Sequence, residues 1–492
     1  MTLMTGLSPS IRTITTGQSG PGPGPGPTPG PSLASLPVAP AGRWHAGTAS
    51  VSLSGDRVQT ASAEVGPGLS AGGAGVGPQA DTDALGRDFW HFDGSAYFDV
   101  GPGLTFSSRQ MAVFAVVRIL GGNTPVFGIG NRTGYGAGST HTNTGGASLD
   151  TSTSGQVAPF VRAYSRSARS DSAQKHNVIG GQQLQVMGAV TRSSGNGGSR
   201  LYLNGEIAAV SHPSINATNV EGAEIGRRVD APGTSGKWAK MDLYELVVYD
   251  QILSDAEGAA IAAALTQHWA IPDVTDQLVM EGDSIMAGAG SSPANNAARV
   301  LSAPGAGQVP GAMRVSMAAI SGNRIADLTA RRDLTHGWAS QLLPGRNVMA
   351  FEIGRNDFTK VPLMDFYNDV VAYLNTPTTG VLQRGWEVRV MLNIASGSAF
   401  QSDIETYRAL LRNPQFLSDL DAGPGQSFDG RVRLIETDLI TQGAAGTLFA
   451  STADASDTGY YQGDATHPSN PGIIARATGA DTPQYGIADG LI

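Results

Sequence analysis

The chain has 492 residues, 40% hydrophobic and 15% charged, long enough for more than one domain and apolar enough to bury a core. Its net charge of −9 argues against general nucleic-acid binding and gives no attraction to anionic membranes. There are no cysteines, which excludes disulfides, thiolate catalysis and cysteine-ligated metals, and no apolar run approaches the roughly 18 residues of a membrane span.

The N-terminal stretch MTLMTGLSPSIRTITTGQSG has no basic start followed by an apolar run, so no signal peptide is expected. Residues 18–40 alternate proline and glycine. They offer little to bury, and proline removes backbone donors, so the stretch reads as an extended linker. Residues 1–40 are therefore expected to be a short docking segment on a linker, or a tail without a role.

Residues 41–271 read as mostly β-structure. Short apolar runs at 95–100, 110–119, 183–192, 200–210 and 242–250 alternate with Gly-, Ser- and Asn-rich breaks. Asn204-Gly205 between two such runs signals a hairpin. The frequent turns favour a β-sandwich or jelly roll. Ser254 with Glu257 forms a capping-box pattern ahead of an Ala-rich helix that closes the region near Ile271. The pieces FDGSAYFDV (92–100), LYLNGE (201–206), EIGRR (224–228) and MDLYELVVYDQILSDAE (241–257) resemble the laminin-G-like, concanavalin-like superfamily. That resemblance implies either glycan binding or plain scaffold, and residues 42–84 supply the first strands. The loop at 130–146 reads either as a surface contact or as a mobile loop without that role, and no spaced acidic cluster suggests calcium.

From 272 to 492 strand-like runs at 277–280, 313–320, 347–353, 387–394 and 431–436 alternate with helical segments at 362–376 and 402–413. This predicts a parallel sheet covered on both faces. Ligands of such sheets bind outside the carboxyl ends of the strands. Ser284, Ser321-Gly322-Asn323 and Gly354-Arg355-Asn356-Asp357 follow the first three strands, and Asp464-Ala465-Thr466-His467 precedes a short C-terminal helix.

These residue types suit acyl transfer. A serine hydroxyl needs a base to take its proton, and His467 can serve. Asp464, three residues earlier, can fix the ring's tautomer. The N–H groups of Ser284 and Gly322 and the side-chain amide of Asn356 can donate to a developing oxyanion. Asp283 and Asp357 read as turn and cap formers, and His268 and His336 as structural. Arg355 faces either the pocket or solvent. Residue 286 is Met, so the serine does not stand in the G-x-S-x-G elbow.

The four blocks GDSI (282–285), ISGN (320–323), GRND (354–357) and DATH (464–467) resemble the SGNH, or GDSL-type, hydrolases over roughly 275–480. The resemblance implies a flavodoxin-like α/β/α domain. It makes Ser284 the nucleophile, His467 the base, Asp464 its partner, and Gly322 and Asn356 oxyanion donors. It requires no cofactor and no metal. With a lectin-like neighbour and no apolar lid near the motifs, the expected substrate is an O-acetylated carbohydrate or polysaccharide. The whole arrangement resembles a phage tail or spike protein. That implies docking to a particle through the N-terminus, a homo-oligomer and a location on the particle surface. The alternative is a non-catalytic glycan-binding adhesin or structural fibre.

Overall fold

The computed structural model describes residues 36–489, apart from 73–76, 84, 107–109, 121–124, 131–146, 153–159, 166–172, 177–183, 193–197, 212–221, 228–237, 290–296, 303–312, 334–337, 341, 398–399 and 421–429. The N-terminal segment, most of the linker, nearly all of the 130–146 loop and His336 thus lie outside the described residues.

The strands between Gly42 and Tyr249 form one hydrogen-bonded network in which every pairing is antiparallel. The long strands Met111–Ile119 and Lys240–Tyr249 lie side by side at its centre, and Gln185–Thr191 flanks the former. Successive side chains of a strand point to opposite faces. Val113, Ala115 and Val117 accordingly enter one apolar cluster with Val58, Leu69, Phe98, Phe127 and Ile225, so other strands cover that face. Ala112, Phe114 and Val116 enter a second cluster with Tyr202, Tyr244 and the helix residues Ile261, Ala262 and Leu265. A strand buried on both sides reads as one unbroken apolar run, as MAVFAVV does.

The hairpin and the closing helix form where expected. Ser199–Leu203 pairs with Glu206–Ser211 across Asn204 and Gly205, whose φ angles of 47° and 96° suit the tight turn. Helix Asp255–His268 begins with the reciprocal bonds of a capping box: Ser254 Oγ accepts from Glu257 N at 3.2 Å, and Glu257 Oε2 accepts from Ser254 N at 2.7 Å. His268 ends this helix with its ring edge-on to Trp269, a packing contact.

Beyond residue 272 five parallel strands lie in the order Met313–Met317, Asp276–Gly282, Asn347–Glu352, Glu387–Met391, Val432–Ile435. In chain order this is second, first, third, fourth, fifth, the flavodoxin-like arrangement. Leu278 and Met280 face helices Ala297–Ser302 and Asn470–Thr478. Val279 faces the other way, toward Ile325–Arg332, Leu363–Asn375, Gln401–Arg412 and Pro414–Leu420. Helices therefore cover both faces, as near-continuous apolar strands require. Among the described residues no apolar cluster draws on both sides of residue 272.

Candidate active site

The strand order reverses around Asp276–Gly282, which has the second strand on one side and the third on the other. The carboxyl ends of these three strands frame the crevice where ligands of such sheets bind. Ser284 leaves the first strand here. Gly282 has φ 151°, and a Cβ on it would stand 2.0 Å from the carbonyl oxygen of Glu352, so the chain passes too close to the third strand for any larger residue. Asp283 then caps the single helical turn Ser284–Ala287, its Oδ1 accepting from Ile285 N at 2.9 Å. Burial and the nearby Glu352 push the Asp283 carboxyl up to about 7.

The C-terminal loop brings two more groups to the serine. Ser284 Oγ and His467 Nε2 are 2.9 Å apart, across 183 positions of sequence. His467 Nδ1 stands 2.6 Å from Asp464 Oδ2. The other carboxylate oxygen of Asp464 accepts from the backbone N–H groups of Thr466 and His467, both at 3.0 Å. The side chain thus orients the imidazole and closes its own turn, in which Ala465 takes φ 52°. Partial burial pushes the Asp464 carboxyl up, but the bonds from the His467 ring and the two amides outweigh it and hold the group below the ordinary carboxylate range. Ser284 is only 9% exposed, whereas 48% of the Asp464 side chain faces solvent. A hydroxyl, an imidazole and a carboxylate in series can draw the proton off the hydroxyl oxygen as it attacks.

Two tethers not singled out from the sequence fasten the loop. Gln462 Nε2 donates to the carbonyls of Ala289 at 2.6 Å and Pro468 at 3.0 Å, tying the histidine loop to the serine segment. Arg476, in the helix that follows the histidine, donates to the carbonyl of Ile285 at 3.2 Å and pairs with buried Glu352. No local pattern marks either residue, because their partners lie on distant segments.

The second and third blocks also meet. Asn356 Nδ2 donates to the main-chain carbonyl of Asn323 at 2.9 Å, and the Asp357 carboxylate accepts from Ile325 N at 3.2 Å. Asp283 and Asp357 thus both accept from backbone N–H groups at helix starts, a structural role as the sequence indicates. Gly322 has φ 84°, and a Cβ there would meet nothing within 4 Å. Its glycine answers to backbone conformation, not to crowding. The turn is joined to the serine segment by Ile320 N, which donates to Gly282 O at 3.2 Å.

Arg355 is buried, not solvated. Its guanidinium runs into the protein and donates through Nη2 to the carbonyl of Ile394 at 3.0 Å, with burial pulling its pKa down. Among the described residues no group of three or more histidine or acidic side chains is arranged to hold a metal ion.

No family model and no curated protein matches the chain. Solved structures similar to it include a member of the lipolytic protein G-D-S-L family from Veillonella parvula, with 12% identity over 40% of this chain and 93% of that one (TM-score 0.30). The psychrotrophic esterase EstA from a Pseudoalteromonas species gives 16% identity over 40% and 92% (TM-score 0.28). Domain 4 of AbnA, an extracellular arabinanase from Geobacillus stearothermophilus, gives 15% identity over 39% and 87% (TM-score 0.29).

Proposed function

We propose that residues 272–492 are a serine esterase of SGNH type that removes acyl groups, chiefly O-acetyl, from carbohydrate or polysaccharide. The observation that carries this reading is the unbroken series Ser284 Oγ, His467, Asp464 at 2.9 and 2.6 Å. In the first half-reaction Ser284 Oγ attacks the ester carbonyl carbon while its proton passes to His467 Nε2. Asp464 keeps the other ring proton on Nδ1 and balances the imidazolium charge. The negative charge on the carbonyl oxygen is met by the N–H of Ser284, which opens a helix and has no partner within it, with the N–H of Gly322 and the Asn356 amide. His467 then returns the proton to the departing sugar oxygen, leaving an acyl-serine. A water molecule, deprotonated by His467, attacks this ester; as the acyl–oxygen bond breaks His467 returns the proton to Ser284 Oγ, and the carboxylic acid is released.

The exposed edge of Asp464 and the open space beside Gly322 favour a substrate presented at the surface, as a decorated polymer would be. Residues 41–271 are assigned to a laminin-G-like, concanavalin-like sandwich that grips such a glycan or serves as scaffold. The N-terminal segment and its Pro/Gly linker support a place on a phage-like particle, as a tail or spike.

The test is fluorophosphonate labelling, with the modified residue located by mass spectrometry, alongside hydrolysis of a small acetyl ester. Ser284→Ala should lose label and about 10⁴-fold or more in turnover, with its circular dichroism unchanged. Near wild-type turnover in that variant would overturn the assignment.

A further inference from the structure

Asn356 can help an oxyanion only if its amide is aimed before the reaction begins, so what aims it matters. Its Nδ2 carries two hydrogens, and one goes to the main-chain carbonyl of Asn323. That bond fixes the amide plane and hence the direction of the second hydrogen. The placement of Asn356 is therefore only as good as the placement of Asn323. The Asn323 side chain is held in turn: its Oδ1 accepts from Nη1 of Arg331, eight residues on in helix Ile325–Arg332. The same guanidinium gives its Nη2 to the carboxylate of Glu281. Glu281 Oε1 also accepts from the N–H of Gly282 at 3.1 Å, two residues before the serine.

Both members of this ion pair are buried, Glu281 fully and Arg331 with 3% exposure. Buried pairs are seldom better for stability than apolar residues of the same volume. Arginine's planar fork, however, can bond two groups at once in fixed directions. Here one tine holds the strand that delivers the nucleophile and the other holds the turn that carries the donor.

We propose that the Glu281–Arg331 pair sets the register between nucleophile and oxyanion donor, making Arg331 a positioning residue that acts through Asn323 and Asn356. The inference rests on the esterase reading. It predicts a loss in kcat with little change in KM, because the oxyanion exists only after the substrate is bound.

The test is a double-mutant cycle on the full chain with a small acetyl ester. Arg331→Lys keeps a cation beside Glu281 but not the fork, and Asn323→Ala leaves the ion pair in place while removing the acceptor. Each should lower kcat about 10- to 100-fold with KM within about 2-fold. In an Asn356→Ala background the same changes should cost less than about 2-fold, since the group they aim is gone. Unchanged kcat in both single variants overturns the proposal. So does an undiminished loss in the Asn356→Ala background, which would mark a purely structural role. If Arg331→Lys fails to fold, Asn323→Ala decides by the same criteria. Wild-type protein inactive on acetyl esters would sink the esterase reading itself, whereas active wild type with unaffected variants sinks only the positioning role.

Discussion

Gln462 reaches out of the histidine loop and donates to the carbonyl of Ala289 at 2.6 Å, 173 positions away in sequence. The bond joins the segment that carries the base to the segment that carries the nucleophile. Loss of alignment at a reacting centre by about 1 Å can cost as much as 10²-fold in rate. Gln462→Ala should therefore lower kcat about 10-fold and slow fluorophosphonate labelling of Ser284 in parallel. Stopped assays on both reagents check this, and an effect confined to KM would speak against it.

Asp464 lies half in water, where its charge is screened, and its bond to the imidazole is supported by its own turn. A buried partner carboxylate can be worth about 10⁴-fold in turnover. Asp464→Asn should cost less, about 10²-fold, and clearly less than Ser284→Ala, because screening weakens the charge while geometry still matters. Comparing kcat for the two variants at one pH decides it, and equal losses would mean that the exposed carboxylate is not screened as argued.

Asp357 gives a pH signature in stability. Burial, outweighing the pull of the Ile325 amide, pushes its carboxyl up to about 7. A carboxyl raised in the folded state binds its proton more tightly there, so its contribution is fully present below the ordinary value and fades as pH rises toward 7. Asp357→Asn can still accept from Ile325 N but has no proton to lose. Its Tm should thus gain on wild type between pH 5 and pH 8, by about 2–4 °C for each kcal/mol of relief. Thermal melts at both pH values test this, and a constant offset would exclude it.

The separation of the apolar clusters at residue 272 leads to a fourth expectation. A fragment of residues 272–492 should fold, since its sheet is covered by its own helices on both faces. It should cleave a small acetyl ester at close to the full-length rate. On an acetylated polysaccharide it should lag, because the missing β-region would no longer raise the local concentration of ester. Equal rates on the polymer would leave that region as scaffold.

What the sequence made legible follows from local chemistry. Alternating apolar runs and helical spacing led to the parallel sheet and its two helical layers. The short blocks led to Ser284, His467 and Asp464, because a turn fixes each block internally. The members of the buried ionic network were not legible. Glu281 and Arg331 are 50 positions apart, and Glu352 and Arg476 are 124 apart. Read along the chain, each is a charged residue expected at the surface. Only the fold supplies the partner that makes burial tolerable. Arg355 shows the same limit: its neighbours in sequence left its direction open, and only the fold shows it buried, with its guanidinium on the carbonyl of Ile394.

The reach of Arg476 to both Ile285 and Glu352 has a consequence for how the protein fails. The helix behind the histidine, the turn holding the serine and the end of the central strand share one guanidinium. Parting the helix from the strand leaves charges stranded in the interior, a costly state, and parting the serine turn leaves the buried guanidinium short of an acceptor. The site thus has no cheap way to loosen while the sheet stays intact. On heating, residual activity and near-ultraviolet dichroism should decay along the same curve, and an inactive yet natively packed population should never accumulate.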